Sequence, residues 1–346
     1  MADVIAWALL VAVAAYACAG GTDYGAGFWD LAAGGAERGK RPRWLIDHAM
    51  APVWEVNNVW LIFAVILMWT GFPTMFQAVF TTMWLPLALA AVGMVLRGAG
   101  FALRKPTRRL AQRRVYGAAF AVSSVLTPFF FGAVIGAVAT GRVTPDTTAS
   151  TDAWNHPSSI LTGLLTIAAT AFLGAVFLTA DARRFAADDL VGYFRRRALG
   201  SLGAVVVLAV IGLPLTRHDA RYVWHGLTRG IGLAFLVLAA VAAVGTALLL
   251  LRRDYRWCRY TSVASVALVV VAWGLAQRPY LLPTSLTVAQ GAGAADTLTW
   301  LVIVAAIAVV LVGPALVVLY RLDTRGELQP LTDADTGAGR ARGDNL

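Results

Sequence analysis

Apolar residues fall along this chain in long unbroken runs, neither alternating as in strands nor forming the one-sided stripe of a surface helix. With roughly 20 residues as the length of a spanning helix, the runs lie near 4–22, 51–70, 75–96, 117–139, 160–180, 199–215, 228–251, 260–276 and 297–320. The pattern predicts an all-α membrane protein with nine transmembrane helices in a single polytopic unit over residues 1–326. A polar tail rich in Gly, Asp and Arg, 327–346, is expected to be disordered. Gly71-Phe72-Pro73 makes a tight turn between spans two and three and predicts an antiparallel hairpin. Two longer connections, 140–159 and 277–297, carry Pro, Asp, Asn and Ser and suit capping the bundle or meeting a partner.

Composition agrees with this pattern, since 59% of the 346 residues are hydrophobic and only 14% charged, which excludes a soluble domain of this length. A net charge of +10 raises the question of nucleic acid. The basic residues instead collect in the connections between apolar runs, so no nucleic-acid partner is expected. The connections after spans one, three, five, seven and nine hold 24 Lys and Arg, and the opposite side holds five: Arg142, Arg217, Arg221, Arg229 and Arg278. Positive charge stays on the cytoplasmic side, so the N-terminus is expected outside and the C-terminus in the cytoplasm. The first run lacks a basic leader and a convincing cleavage site, and reads as a retained helix of a multi-pass membrane protein rather than a signal peptide. The same loop rhythm would accompany an internal duplication of spans one to four in five to eight, but any chain obeying the charge rule shows it.

Side chains able to hold a metal are few and poorly placed. Haem in a membrane bundle needs an axial His, Met or Cys at buried depth, whereas His48 lies at the mouth of span two and His156, His218 and His225 belong to connections or their edges. Lone methionines in apolar helices are usually packing residues. No metal site and no haem ligation by this chain are expected. Cys18 and Cys258 show no pair spacing, and the Gly20–Gly27 run lacks the strand-turn-helix setting of a nucleotide fingerprint.

What remains is a small polar set near one membrane level: Asp23 at the end of span one, Glu55 in the first turns of span two, Arg97 at the end of span three. An ionised acid in a bilayer costs roughly 2.5–3.5 kcal/mol on insertion scales, so it usually faces a partner or a proton path. A helix starting at Asp47 would set Glu55 about 10 Å inside. Asn58, three residues on, shares a face with Glu55 and would extend a polar strip. Trp54 and Trp60 could line it, although tryptophans near an interface are mostly belt residues.

Four ordered motifs resemble subunit II of the cytochrome bd-type quinol oxidases. Gly21-Thr22-Asp23-Tyr24-Gly25-Ala26-Gly27 resembles the family's Gly-Phe-Asp-(Phe/Met)-Gly-Val-Gly, and the stretch from Ala51 to Leu61 resembles its Pro-x-Trp-Asp-Gly-Asn-(Glu/Gln)-Val-Trp-Leu. Leu96 to Phe101 resembles its Arg-x-x-(Gly/Ala)-Phe element, and Pro279 to Thr287 with Thr297-Leu298 resembles its Tyr-Pro-x-Leu-Val-Pro-x-Ser-Leu-Thr signature. The resemblance implies two four-helix bundles plus one peripheral helix. It also implies a pseudo-symmetric heterodimer with a haem-bearing subunit I that holds b- and d-type haems, oxidises quinol and reduces oxygen to water with protons from the cytoplasm. Small single-helix accessory subunits and a structural quinone or lipid are compatible with it.

By the same resemblance Glu55, with Trp54 and Asn58, takes the place of a proton-path group, while Asp23 and Arg97 support the partner's haem site. The chain departs from the family where the usual Asp is Glu55, the Gly after it is Val56 and the usual Glu/Gln is Asn58. Glu keeps the carboxylate but moves it by about one methylene. The competing readings are a purely structural scaffold subunit and a stand-alone transporter.

Overall fold

The computed structural model describes residues 1–35, 37–49, 54–104, 110–146 and 152–325. The chain is helical almost throughout, because a backbone in hydrocarbon must satisfy every N–H and C=O within its own segment. In order come α1 (Ala2–Leu31), α2 (Lys40–Ala49), α3 (Trp54–Ile66), a π-helical turn (Leu67–Gly71), α4 (Pro73–Thr82), α5 (Trp84–Arg104), α6 (Leu110–Ala139) and α7 (Pro157–Arg184). Then follow α8 (Asp188–Asp219), α9 (Arg221–Thr228), α10 (Gly230–Arg252), α11 (Cys258–Gln277), β1 (Tyr280–Leu282), β2 (Leu286–Thr287), α12 (Val288–Gly291) and α13 (Ala295–Arg325).

Seven described helices are long and apolar enough to cross a membrane: α1, α6, α7, α8, α10, α11 and α13. An eighth arises if α3 with its π turn and α4 count as one span, although the two parts meet at 116°. The apolar part of α5, Trp84–Gly100, is shorter. Helices α1 and α8 outrun the apolar stretches within them, since a helix continues into polar flanks wherever neighbours satisfy it. The turn at Gly71-Phe72-Pro73 is present, with Pro73 opening α4 where a missing N–H costs nothing. The predicted hairpin is more complex. The chain breaks again at Met83, and α5 packs along α6 while α3 packs on α1. The predicted disordered tail lies outside the described residues.

Helix α1 touches α3, α6, α7 and α11, while α5, α6, α7 and α8 pack in succession and α10 pairs with α11. Helix α13 lies at the edge, against α1 and the π turn, and presents an exposed apolar face. Small residues permit the closest approaches. A Cβ at Gly25 would collide with the Thr170 carbonyl of α7, and one at Gly174 would strike the Gly25 backbone. Two glycines of α6, Gly132 and Gly136, admit Thr162 and Gly163 of α7 in the same way. Close backbone contact of this kind holds membrane helices together where lipid removes the hydrophobic drive.

Polar contacts sort the connections into two ends. At one end Arg278 pairs with Asp3, Arg142 meets His156 at 2.9 Å and Ser158 donates to Asp219 at 2.5 Å. At the other, Arg41 pairs with Asp189 at 2.7 Å, Arg43 with Asp30 at 2.9 Å and Arg259 with Asp181. The 277–297 connection is ordered. Strands β1 and β2 pair antiparallel, Tyr280 opposite Thr287 and Leu282 opposite Leu286. Leu282 and Leu286 are buried with Met83, Val138 and Val143, so this segment caps the bundle end.

Candidate functional site

Asp23 and Arg97 come together with Asn57 and Ser124 inside the apolar bundle, where α1, α3, α5 and α6 meet. Asp23 does not end α1. It lies within the helix, which runs eight residues further, and one carboxylate oxygen accepts from Asn57 Nδ2 at 2.6 Å. The same nitrogen reaches the Ala19 carbonyl at 3.3 Å, one turn earlier. Both partners accept only, which orients the amide with its nitrogen toward α1. Asn57 is buried and thus staples α3 across one turn of α1.

Arg97 is a buried side chain, 4% exposed, and so is not part of an exposed basic flank. Its guanidinium donates to the Asp23 main-chain oxygen at 2.7 Å and to Ser124 Oγ at 2.7 Å. Ser124 passes the chain on to the Phe120 carbonyl at 2.8 Å. The guanidinium carbon lies 4.7 Å from the Tyr24 ring centre and 4.5 Å from that of Phe120, within cation–π range. The Tyr24 hydroxyl is 3.2 Å from that of Tyr16. Gly27 carries no Cβ because one would strike Ser124 Oγ and Arg97. A buried arginine is made tolerable by hydrogen bonds and covered faces, and here two of its N–H groups are engaged and two rings lie against it.

Trp54 and Glu55 form the first turn of α3, and their side chains lie outside the described residues. The helix carrying Glu55 starts at Trp54, after the separate α2, so a rise counted from Asp47 does not set its depth. Glu55 is two positions from Asn57, about 3 Å along the axis, which places its backbone beside the Asp23 site. Asn58 is half-buried. Of the two adjacent asparagines it is Asn57 that meets Asp23. Asn57, Ser124, Phe120 and Tyr24 are members of the site that sequence reasoning did not single out.

Among the described residues no three His, Cys, Asp or Glu side chains gather as a metal site. His48 lies in α2, His156 caps α7, His218 lies in the last turn of α8 and His225 in α9.

A many-helix apolar bundle, an internal arginine and a polar staple at the α1–α3 crossing define a membrane-embedded protein with charge held inside it. The family profile described as cytochrome bd terminal oxidase subunit II matches residues 1–323, and the chain belongs to that family. It is 23% identical over 319 residues to the cytochrome bd-I ubiquinol oxidase subunit 2 of Escherichia coli K12, covering 81% of each chain. With the putative cytochrome bd menaquinol oxidase subunit II of Bacillus subtilis 168 it shares 21% over 294 residues, covering 80% of this chain and 82% of the relative. A bd oxidase structure from Geobacillus thermodenitrificans matches the fold with a TM-score of 0.76 at 24% identity, over 93% of this chain and 98% of the other. The chain is therefore a subunit of a cytochrome bd terminal oxidase, an oxidoreductase complex, in the bacterial cytoplasmic membrane. Haems belong to such a complex, and a subunit II normally pairs with a subunit I.

Proposed function

We propose that this chain is the subunit II that ligates no haem itself, seats the haem-bearing subunit I and supplies a proton route from the cytoplasm. The complex would oxidise two quinols, releasing four electrons and four protons, and reduce one O2 with four electrons and four protons to two waters. The observation that carries this reading is the polar site buried among α1, α3, α5 and α6, directly beside the helix turn that bears Glu55. Glu55, with Trp54 and Asn58, would begin the route. Asp23 and Arg97 would hold the local geometry that supports the partner's haem site.

The proposed architecture has nine spans, N-terminus outside and C-terminus inside, in two four-helix bundles with α13 peripheral. The two sets of polar end contacts and the edge position of α13 support it. A structural quinone or lipid would suit a partly open apolar groove of about 150 Å³ between α1 and α11. Two groups at this groove, the Trp273 indole N–H and the Gln277 Oε1, have no hydrogen-bond partner among the described residues.

The scaffold reading has one observation in its favour: the Arg97 guanidinium is engaged by Asp23, Ser124, Tyr24 and Phe120, contacts that brace α1, α5 and α6 against one another. Glu55→Gln and Glu55→Asp in the purified oxidase separate the two. Proton relay by a positioned side chain contributes on the order of 10²–10⁴, so Glu55→Gln should lose at least about tenfold in quinol-driven oxygen uptake per haem, with Glu55→Asp retaining much of it. Full turnover per haem in Glu55→Gln would remove Glu55 from the route. Lost haem content with normal turnover per haem would favour the scaffold.

A further inference from the structure

A pocket of about 320 Å³ opens where α9, the first turn of α10 and the last turn of α11 meet. It lies at the ends of two membrane-crossing helices, hence at headgroup depth rather than in the hydrocarbon. Its polar wall carries Arg229, Arg278, His225 and Tyr222; its floor includes Ile231 and Leu275.

The cations of this wall are not equally engaged. Arg278 is paired with Asp3 and stands over the Trp7 ring at 5.5 Å, and its carbonyl accepts from the Tyr222 hydroxyl at 2.7 Å. His225 uses Nδ1 against the Arg221 carbonyl at 2.7 Å, which leaves Nε2 for another partner. Among the described residues the Arg229 guanidinium has no hydrogen bond or ion pair, although it lines the pocket. Arg229 is also the N-cap of α10, in extended backbone, and its side chain caps nothing. Glycine makes the fold of this corner possible, since Gly230 has φ +56 and a Cβ at Gly232 would strike the Gly226 carbonyl.

Among the described residues, two arginines against the one Asp3 carboxylate leave the pocket net positive. Directly along α10 from it run Ile231, Leu233, Val237, Leu238 and Val241, all exposed and all apolar. A soluble anion would use the first feature and ignore the second. We propose that this pocket binds the phosphate of an anionic phospholipid through Arg229 and Arg278, with the acyl chains lying along the exposed face of α10. The assignment is independent of the haem, quinol and proton chemistry proposed above.

The test is native mass spectrometry of the delipidated oxidase titrated with phosphatidylglycerol, phosphatidylcholine or inorganic phosphate, for the wild type, Arg229→Gln and Arg229→Glu. Arg221→Gln, a neighbouring exposed arginine outside the pocket, is the control. A cationic side chain near an anionic headgroup is worth about 1 kcal/mol, so Arg229→Gln should weaken the tightest phosphatidylglycerol about fivefold and Arg229→Glu more. Arg221→Gln should match the wild type. Equal phosphatidylglycerol affinity in Arg229→Glu overturns the site. Equal affinity for phosphatidylcholine overturns its charge basis, and binding of inorganic phosphate that displaces the lipid shows a free-anion site instead.

Discussion

Arg97 places a permanent charge inside an apolar bundle, and everything around it answers that charge: a main-chain oxygen, a serine hydroxyl and two ring faces. Hydrogen bonds to charged groups contribute about 1.5–3 kcal/mol each, and leaving their partners buried and unpaired costs more. Arg97→Gln should therefore lower the thermal midpoint and the haem recovered per unit of membrane protein, while Arg97→Lys, which keeps the charge but loses the fork, should fall between. A differential absorption spectrum with a melting curve reads both; wild-type values for Arg97→Gln would refute this account of the site. At this scale the sequence was only partly legible. An acid, an arginine and an asparagine could be named, but 3.6-residue periodicity cannot say which of two adjacent asparagines faces α1 until α1 is in place. Arg97 stands at the end of an apolar run, and its burial against Ser124, Tyr24 and Phe120 becomes legible only once α1 and α6 are in place beside it.

The α1–α7 crossing explains why the Gly21 to Gly27 run is written as it is. Two glycines four residues apart, Gly21 and Gly25, put a bare strip on α1, and Gly174 presents another from α7. That spacing is the signal a sequence reading could have used in place of the nucleotide comparison it excluded. Gly25→Val should force the helices apart. Overpacking costs typically about 1–3 kcal/mol, and the expected result is a large drop in assembled, heat-stable complex by fluorescence size-exclusion. Gly200→Ala, where an added Cβ meets nothing within 4 Å, should leave that profile unchanged. If both variants behave alike, the crossing is not held by close approach. Other element-level features were hidden for a physical reason: apolar runs report length in hydrocarbon, not breaks within it. The bend at Phe72, the interruption at Met83 and the β1–β2 cap depend on tertiary contacts such as Gly293 N–H to the Gly71 carbonyl at 2.9 Å.

Across the whole molecule, charge distribution was the most informative property of the sequence. It separated the connections into two groups, and the structure's ion pairs join members of the same group: Asp3 with Arg278, Arg41 with Asp189, Asp181 with Arg259. With both native cysteines buried, Asp3→Cys should react with an impermeant maleimide on intact spheroplasts and Arg252→Cys only after lysis; the reverse pattern would invert the proposed topology. The partner, by contrast, is invisible to periodicity and enters through family membership. One measurement tests that central claim most directly. The tagged chain, purified from its native membrane in mild detergent, should bring with it a larger membrane subunit, reduced-minus-oxidised haem bands and quinol-dependent oxygen uptake. A chain that purifies alone, without haem absorption and without oxygen uptake, would contradict the assignment.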